Sequence, residues 1–313
     1  PMNAILGMLK LLHSTALTVR QLDYVGKTEG AARSLLGLLN DILDFSKVVA
    51  GKMTLDTRPF RVERLLRDLS VILSANVGSK TIEVLFDIDP ALPQDLVGDD
   101  MRLQQVLINL GGNAIKFTSV GEVVLRLRLV RQTERDVVVE FAVSDSGIGI
   151  APENLERVFS GFSQAEASTT RRYGGTGLGL AISSRLVGLL GGQLQVDSVL
   201  GQGSTFRFQL CLPLGARGAT EAPAPVPGSL NVLLVDDNAV ARSVLAHMAQ
   251  SLGWRADQAA SGAQALACIE ARTAAAQAPH DVIFMDWQMP EMDGWEASQR
   301  IRTMAAGQTT PIV

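Results

Sequence analysis

Apolar residues recur at three- and four-residue steps from Leu22 to Val49, through Val25, Ala32, Leu35, Leu36, Leu39, Ile42 and Leu43. That period predicts one amphipathic helix of roughly thirty residues. Pro1 to Leu12 predicts a shorter apolar helix, with a turn over Ser14 to Thr18. A short helix cannot cover so long a stripe, so the hairpin predicts pairing with a second copy in a four-helix bundle.

The pattern changes at Pro59. Val62 to Leu73 reads as helix, Thr81 to Ile88 alternates as a strand, and Met101 to Phe117 reads as helix capped by Asp99 or Asp100. Glu122–Leu129 and Val137–Val143 read as strands, then Gln193–Ser198 and Ser204–Leu212 as a pair about Gly201-Gln202-Gly203. Strand runs with helices over one face predict an α/β sandwich. Pro213 to Gly228 is rich in Ala, Pro and Gly, the composition of a semi-extended linker. Beyond it an unbroken apolar strand, Asn231–Val235, leads into Asp236-Asp237-Asn238. Helices over Val240–Leu252 and Ala259–Ala271 come next, and the strand Val282–Met285 ends at Asp286. Buried strands alternating with helices predict a parallel, doubly wound sheet, with carboxylates at the strand ends where such sheets hold their sites.

Composition narrows the function. The net charge is −4 over 313 residues. Nine acidic and five basic residues lie from Ser229 onward, so the imbalance belongs to the last segment and no broad basic surface invites nucleic acid. Cys211 and Cys268 fall in different predicted domains and give no disulfide framework, which suits a reducing cytosol. No run of about 18 apolar residues and no signal peptide is present. The chain opens at Pro1 and stops at Val313 inside an apolar run. Both ends read as cut, which leaves room for an upstream anchor in the inner membrane.

Four constellations carry chemistry. Asn109 and Asn113 stand four apart on one helix face with Lys116 three further on. Amide oxygens suit Mg²⁺, and a lysine balances phosphate charge. Two asparagines alone would be an ordinary polar face. Asp145-Ser146-Gly147-Ile148-Gly149 comes after a strand that aims its carboxylate into the sheet–helix interface, where it can accept a hydrogen bond from an adenine amine. Gly174-Gly175-Thr176-Gly177-Leu178-Gly179-Leu180 opens a helix, and helix-start amides bind anions. It is neither a dinucleotide nor a Walker motif. Phe159, Phe162 and a polar stretch ending in Arg171-Arg172-Tyr173 separate the two glycine clusters. Asp236, Asp237 and Asp286 repel one another unless a cation sits among them, and Mg²⁺ is the fitting ion.

The order of these motifs resembles the hybrid sensor histidine kinases. The string Arg102 to Phe117 is similar to their asparagine motif, and Phe284 to Gly294 to the receiver acceptor motif. The resemblance implies a dimerisation and phosphotransfer hairpin over 1–58, homodimeric through it, and a Bergerat-type ATP-binding sandwich over 59–214. It further implies a linker over 215–228 and a truncated receiver over 229–313. It implies that Asp145 reads adenine with Gly147, Gly149 and Thr205 around the base. A lid before Gly174, with Arg172, Gly175, Thr176, Gly177, Leu178 and Gly179, would close on ATP, and Asn113 would hold Mg²⁺. Asp286 would be the phosphoacceptor, with Mg²⁺ on Asp236 and Asp237. A downstream phosphotransfer domain or response regulator would be the partner.

Pro1-Met2-Asn3-Ala4-Ile5-Leu6-Gly7 resembles the segment immediately C-terminal to the family's acceptor histidine, which would fall just before Pro1. His13, His247 and His280 read as surface or structural residues. The sheet would need a fourth strand at Pro311–Val313 and more beyond it. Two rivals are a non-catalytic ATP-binding scaffold, that is a pseudokinase, and an ATPase of the gyrase or mismatch-repair kind. The intact motifs count against the first, the flanking hairpin and receiver against the second.

Overall fold

The computed structural model describes residues 2–155, 157–159, 177–215, 229–304 and 307–313. It forms two compact units, residues 1–84 with 93–215, and residues 85–92 with 216–313.

In the first unit α1 (Met2–His13) and α2 (Val19–Val49) form an antiparallel hairpin. Thr18 caps α2 in a capping box, its hydroxyl accepting from Gln21 N while the Gln21 side chain accepts from Thr18 N. Among the described residues, only Leu9, Val25 and Ala32 are buried where the two helices pack. Ile5, Met8, Leu11, Leu35, Leu39, Ile42 and Leu43 remain exposed, so a second apolar stripe has no cover within the described residues.

Beyond the hairpin come β1 (Arg58–Arg61), α3 (Val62–Val77), β2 (Thr81–Ile88), β3 (Asp95–Gly98), α4 (Asp100–Phe117), β4 (Val120–Gln132) and β5 (Asp136–Asp145). Then come α5 (Gly179–Leu189), β6 (Gln195–Val199) and β7 (Gly203–Pro213). The larger sheet runs β2-β4-β5-β7-β6, and β1 pairs with β3. Strand alternation buries Val137, Val139, Phe141 and Val143 of β5, and Phe206, Phe208, Leu210 and Leu212 of β7. Phe141 and Phe208 stack with ring centroids 5.2 Å apart. The central helix is α4, which touches α3, α5, β4 and β5. Gly111 permits the close approach of α3, since a Cβ there would stand 2.7 Å from Leu73 Cδ2.

Polar bonds fasten the start of α4. Asp99 caps it through Oδ1, which accepts from Arg102 N, and its Oδ2 accepts from Asp56 N at 2.9 Å. Asp44 of α2 accepts from Arg102 Nη1 at 3.0 Å and from Gln105 Nε2 at 2.9 Å.

In the second unit β8 (Asn231–Val235) lies between β10 (Val282–Met285) and β9 (Arg255–Ala259), both parallel to it. Helices α6 (Ala239–Ser251), α7 (Gly262–Ala274) and α8 (Gly294–Thr303) complete it. Leu233, Val235 and Ile283 bury against Ala265, Ile269 and Ile301 on one face. Val232 and Leu234 bury against Ala246 and Ala249 on the other, which is the doubly wound arrangement. Pro311–Val313 runs parallel beside β10, with Val313 N donating to Ile283 O at 2.9 Å. The sequence pattern does not predict β1, β3, β9 or α8. Arg-Ala-Asp-Gln-Ala of β9 has one buried position in five because it is a sheet edge, so the alternation signal is absent. The helix expected from Ala259 starts at Gly262, where Ser261 supplies the cap. Among the described residues, no helix is long and apolar enough to cross a membrane.

Candidate functional site

Two groups of polar side chains stand out, one in each unit. The first lies around α4, β5 and the start of α5. Asn109 and Asn113 are both half-buried, one turn apart on α4. Asn109 Nδ2 donates to Ser183 Oγ at 2.8 Å, and Ser183 is 1% exposed. A Cβ on Gly179 would stand 2.3 Å from Asn109 Oδ1, so the absent side chain is what lets α5 begin against this asparagine. Asn109 thus holds two helices together, a task its spacing did not announce. Ser183, one turn beyond Gly179, escaped the sequence reading, although that spacing puts it on the same face.

Lys116 lies near the C-terminal end of α4 with its ammonium 4.9 Å from the Phe117 ring centroid, and burial lowers its pKa. Gly177 takes the left-handed φ of +69°, which lets the chain turn into α5. Leu178 is buried, and its carbonyl accepts from Ile182 N. Among the described residues no side chain caps α5, so its first amides keep the anion-binding character of a helix start. Gly174, Gly175, Thr176, Arg171, Arg172, Tyr173 and Phe162 lie outside the described residues.

Asp145 ends β5 with Oδ1 accepting from Gly147 N at 2.9 Å. Burial raises its pKa most, and backbone N–H donation from Gly147 and Ser204 partly offsets that. Neither glycine of the loop could carry a side chain. A Cβ on Gly147 would lie 2.6 Å from Phe117 O, and one on Gly149 would lie 2.0 Å from Val199 O with φ at +65°. Ile150 N donates to Ser198 Oγ at 2.8 Å, Ser198 donates onward to Gly203 O, and Ser204 Oγ is 3.0 Å away. Thr205 faces Ser144 across β7 and β5 and donates to its hydroxyl at 2.9 Å. One half-buried carboxylate, on a loop pinned by backbone contacts, is therefore presented beside the helix that carries Asn113.

The second group sits at the C-terminal ends of β8 and β10. One carboxylate oxygen from each of Asp236, Asp237 and Asp286 lies within 4.8 Å of the others. Asp236 has its pKa raised by burial first, and also by repulsion from Asp286 and Asp237. Asn238 caps α6, donates its N–H to Asp236 Oδ1 at 2.8 Å, and so fixes that carboxylate. Asp286 Oδ1 accepts from Trp287 N at 2.8 Å. A Cβ on Gly294 would stand 2.2 Å from Asp286 O, so this loop also closes on a glycine. Converging hard oxygen donors of like charge fit a divalent cation such as Mg²⁺.

Comparison with known proteins joins the two groups. Residues 1–51 match the model of the His Kinase A (phospho-acceptor) domain. Residues 98–214 match the histidine kinase-, DNA gyrase B- and HSP90-like ATPase family, and residues 232–313 the response regulator receiver domain. Those three domains in that order decide the matter. The chain belongs to the hybrid sensor histidine kinases. It is 43% identical over 253 residues to sensor histidine kinase GacS of Pseudomonas protegens, covering 81% of this chain and 28% of GacS. It is 37% identical over 314 residues to sensor histidine kinase AruS of Pseudomonas aeruginosa, covering 100% of this chain and 31% of AruS. The chain thus spans less than a third of either relative. The crystal structure of full-length ShkA in complex with AMPPNP aligns at a TM-score of 0.69 and 28% identity, covering 100% of this chain and 89% of ShkA. The domain content supports ATP as a ligand and implies dimerisation and phosphotransfer partners.

Proposed function

We propose that this chain carries the machinery of a two-component phosphorelay, with three working parts in 1–58, 59–214 and 229–313 joined by a linker over 215–228. The reading rests on one observation above others. A half-buried carboxylate suited to adenine and a triad of converging carboxylates occur in one chain, within family matches in the order such a relay needs.

In the ATP site, Asp145 accepts the adenine amine, and Gly147, Gly149 and Thr205 shape the base pocket. The start of α5 at Gly177 to Gly179, preceded by Arg172, Gly175 and Thr176, meets the phosphates, as does Lys116. Asn113 would offer an amide oxygen to Mg²⁺, while Asn109 sets the spacing of α4 and α5. An imidazole nitrogen attacks the terminal phosphorus, the bond to the bridging oxygen breaks, and ADP leaves. In the receiver, a carboxylate oxygen of Asp286 attacks phosphorus on phosphohistidine, and the P–N bond breaks with its electron pair returning to the ring. Mg²⁺ held by Asp236, Asp237 and Asp286 would neutralise charge developing on the transferred group. Trp287 N holds one Asp286 oxygen in place.

The exposed stripe of α1 and α2 supports a homodimer through residues 1–58, because two hairpins would cover each other's apolar faces. A downstream phosphotransfer domain or response regulator would take the phosphoryl group onward. Free thiols at Cys211 and Cys268 suit the cytoplasm, and no helix among the described residues is long and apolar enough to cross a membrane.

The test combines calorimetry with Mg²⁺-ATP and labelling of Asp286 by a phosphohistidine donor. Absence of both heat and label would defeat the reading.

A further inference from the structure

Lys80 lies after the turn that ends α3 and precedes β2, in a Gly-Ser-Lys stretch without any nucleotide motif. It also lies outside the residues matched to the ATPase family. Its side chain is half-buried, and its ammonium has three donors. It donates to Ile115 O at 2.6 Å, to Lys116 O at 3.0 Å and to Thr118 O at 2.9 Å. All three carbonyls belong to the last turn of α4 or to its cap.

A helix leaves its last four carbonyls without intrahelical partners, and those carbonyls carry the negative end of its dipole. Here the end of α4 is filled in a definite way. Ala114 O accepts from both Thr118 N and Thr118 Oγ1. Lys80 takes its neighbours. Phe117 O, which Lys80 does not reach, accepts from Ile148 N at 3.3 Å. The Asp145–Gly149 loop is laid on this same point, since a Cβ on Gly147 would meet Phe117 O at 2.6 Å and Thr118 Oγ1 at 2.9 Å. Gly147 N in turn donates to Asp145 Oδ1. From Lys80 to Asp145 the path runs through backbone atoms with hardly any slack.

We infer that Lys80 is a positioning residue for adenine recognition, clamping the C-terminal end of α4 so that Phe117 O and Thr118 hold the loop bearing Asp145 in register. The inference rests on the nucleotide reading given above. It predicts a base-specific defect. With the clamp gone, the α4 end frays, Gly147 and Ile148 lose their seat, and the carboxylate loses its fixed aim. Phosphate contacts at the start of α5 are untouched.

The test uses the 313-residue chain, well below each variant's melting temperature, with ATP and GTP as probes. Lys80→Met keeps the stem and removes the charge and donors. Its ATP Kd should rise about five- to tenfold, the range of a lost charged hydrogen bond felt at one remove. Its weaker GTP binding, which cannot use the amine-to-Asp145 bond, should fall less, only by the share of the Lys116 phosphate contact that the frayed helix end disturbs, so ATP/GTP discrimination narrows. Amide exchange at Ile148 should quicken. Lys80→Arg, which restores donors and charge, should recover ATP affinity to within about twofold. A folded Lys80→Met chain with unchanged ATP Kd and unchanged discrimination overturns the inference even if its melting temperature falls, because that is the mark of a purely structural cap. If Lys80→Met does not fold, Lys80→Gln decides by the same comparison. If the wild-type chain fails to bind ATP, the nucleotide reading falls first and this inference with it.

Discussion

Asp145 and Asp286 are both aspartates at strand ends, yet their surroundings ask different things of them. Burial favours the neutral form of Asp145, so its folded pKa stands above the unfolded one. The folded chain therefore holds that proton more tightly, and stability is lost as pH rises from the unfolded pKa through the folded one. The proposed adenine recognition needs the ionised acceptor. ATP binding should accordingly fall on acidification at a higher pH than an ordinary aspartate would give. Asp145→Asn should weaken ATP binding by about 1–3 kcal/mol at neutral pH. The gap between wild type and variant should close as pH falls, and calorimetry across pH that finds a constant gap would exclude this role. Asp286 faces two like charges instead of an apolar wall. Asp286→Asn should raise the melting temperature of the metal-free protein by relieving repulsion. Mg²⁺ should stabilise wild type but not the variant. Equal Mg²⁺ shifts in the two would remove Asp286 from the cation site. Residues such as these were legible, because a carboxylate that ends an apolar strand has few structural uses. Lys80 was not, since its acceptors are 35 to 38 residues away and one lysine in a turn makes no pattern.

At the level of elements, the long periodic segments were read almost to their ends. Thr81–Ile88 and Asn231–Val235 match their predicted bounds, and the helix expected over Met101–Phe117 begins one residue earlier. What failed were short strands, β1 and β9 above all, whose exposed positions erase alternation, and β3, whose four residues are too few to show a period. Glycines at element joints differ in what they exclude. At Gly179 the obstacle is the end of the Asn109 side chain, and at Gly149 it is backbone together with a positive φ. Gly179→Ala should displace Asn109 from Ser183, costing about 1 kcal/mol of stability and weakening ATP binding. Gly149→Ala should cost more, about 2 kcal/mol or above, from strain that no rotamer change relieves. Thermal denaturation that ranked the two in the opposite order would show the β6–β7 connection to be softer than its contacts imply.

For the whole molecule, the motif order carries more than any single site. Carboxylate triads and glycine loops are common, but a hairpin, a nucleotide sandwich and a receiver in sequence define a relay. Residues 1–313 alone should incorporate no acid-labile phosphate from ATP on His13, which is exposed at the end of α1, away from the motif the family uses. A chain carrying His-Glu-x-x-Thr ahead of Pro1 should become labelled, and phosphohistidine at His13 in the shorter chain would identify a different acceptor. The tethering of α4 has a consequence of another sort. Its first turn is tied to Asp44 on α2, and its last turn to Lys80 and the Asp145–Gly149 loop. One inserted residue would advance the far end by about 1.5 Å and swing it by about 100°. No rotation of the helix could then satisfy both ends. The 18 residues of α4 are therefore a fixed gauge length. Single insertions and deletions between Gln105 and Ile115 should be excluded, while the exposed turn at Thr133–Arg135 should absorb them.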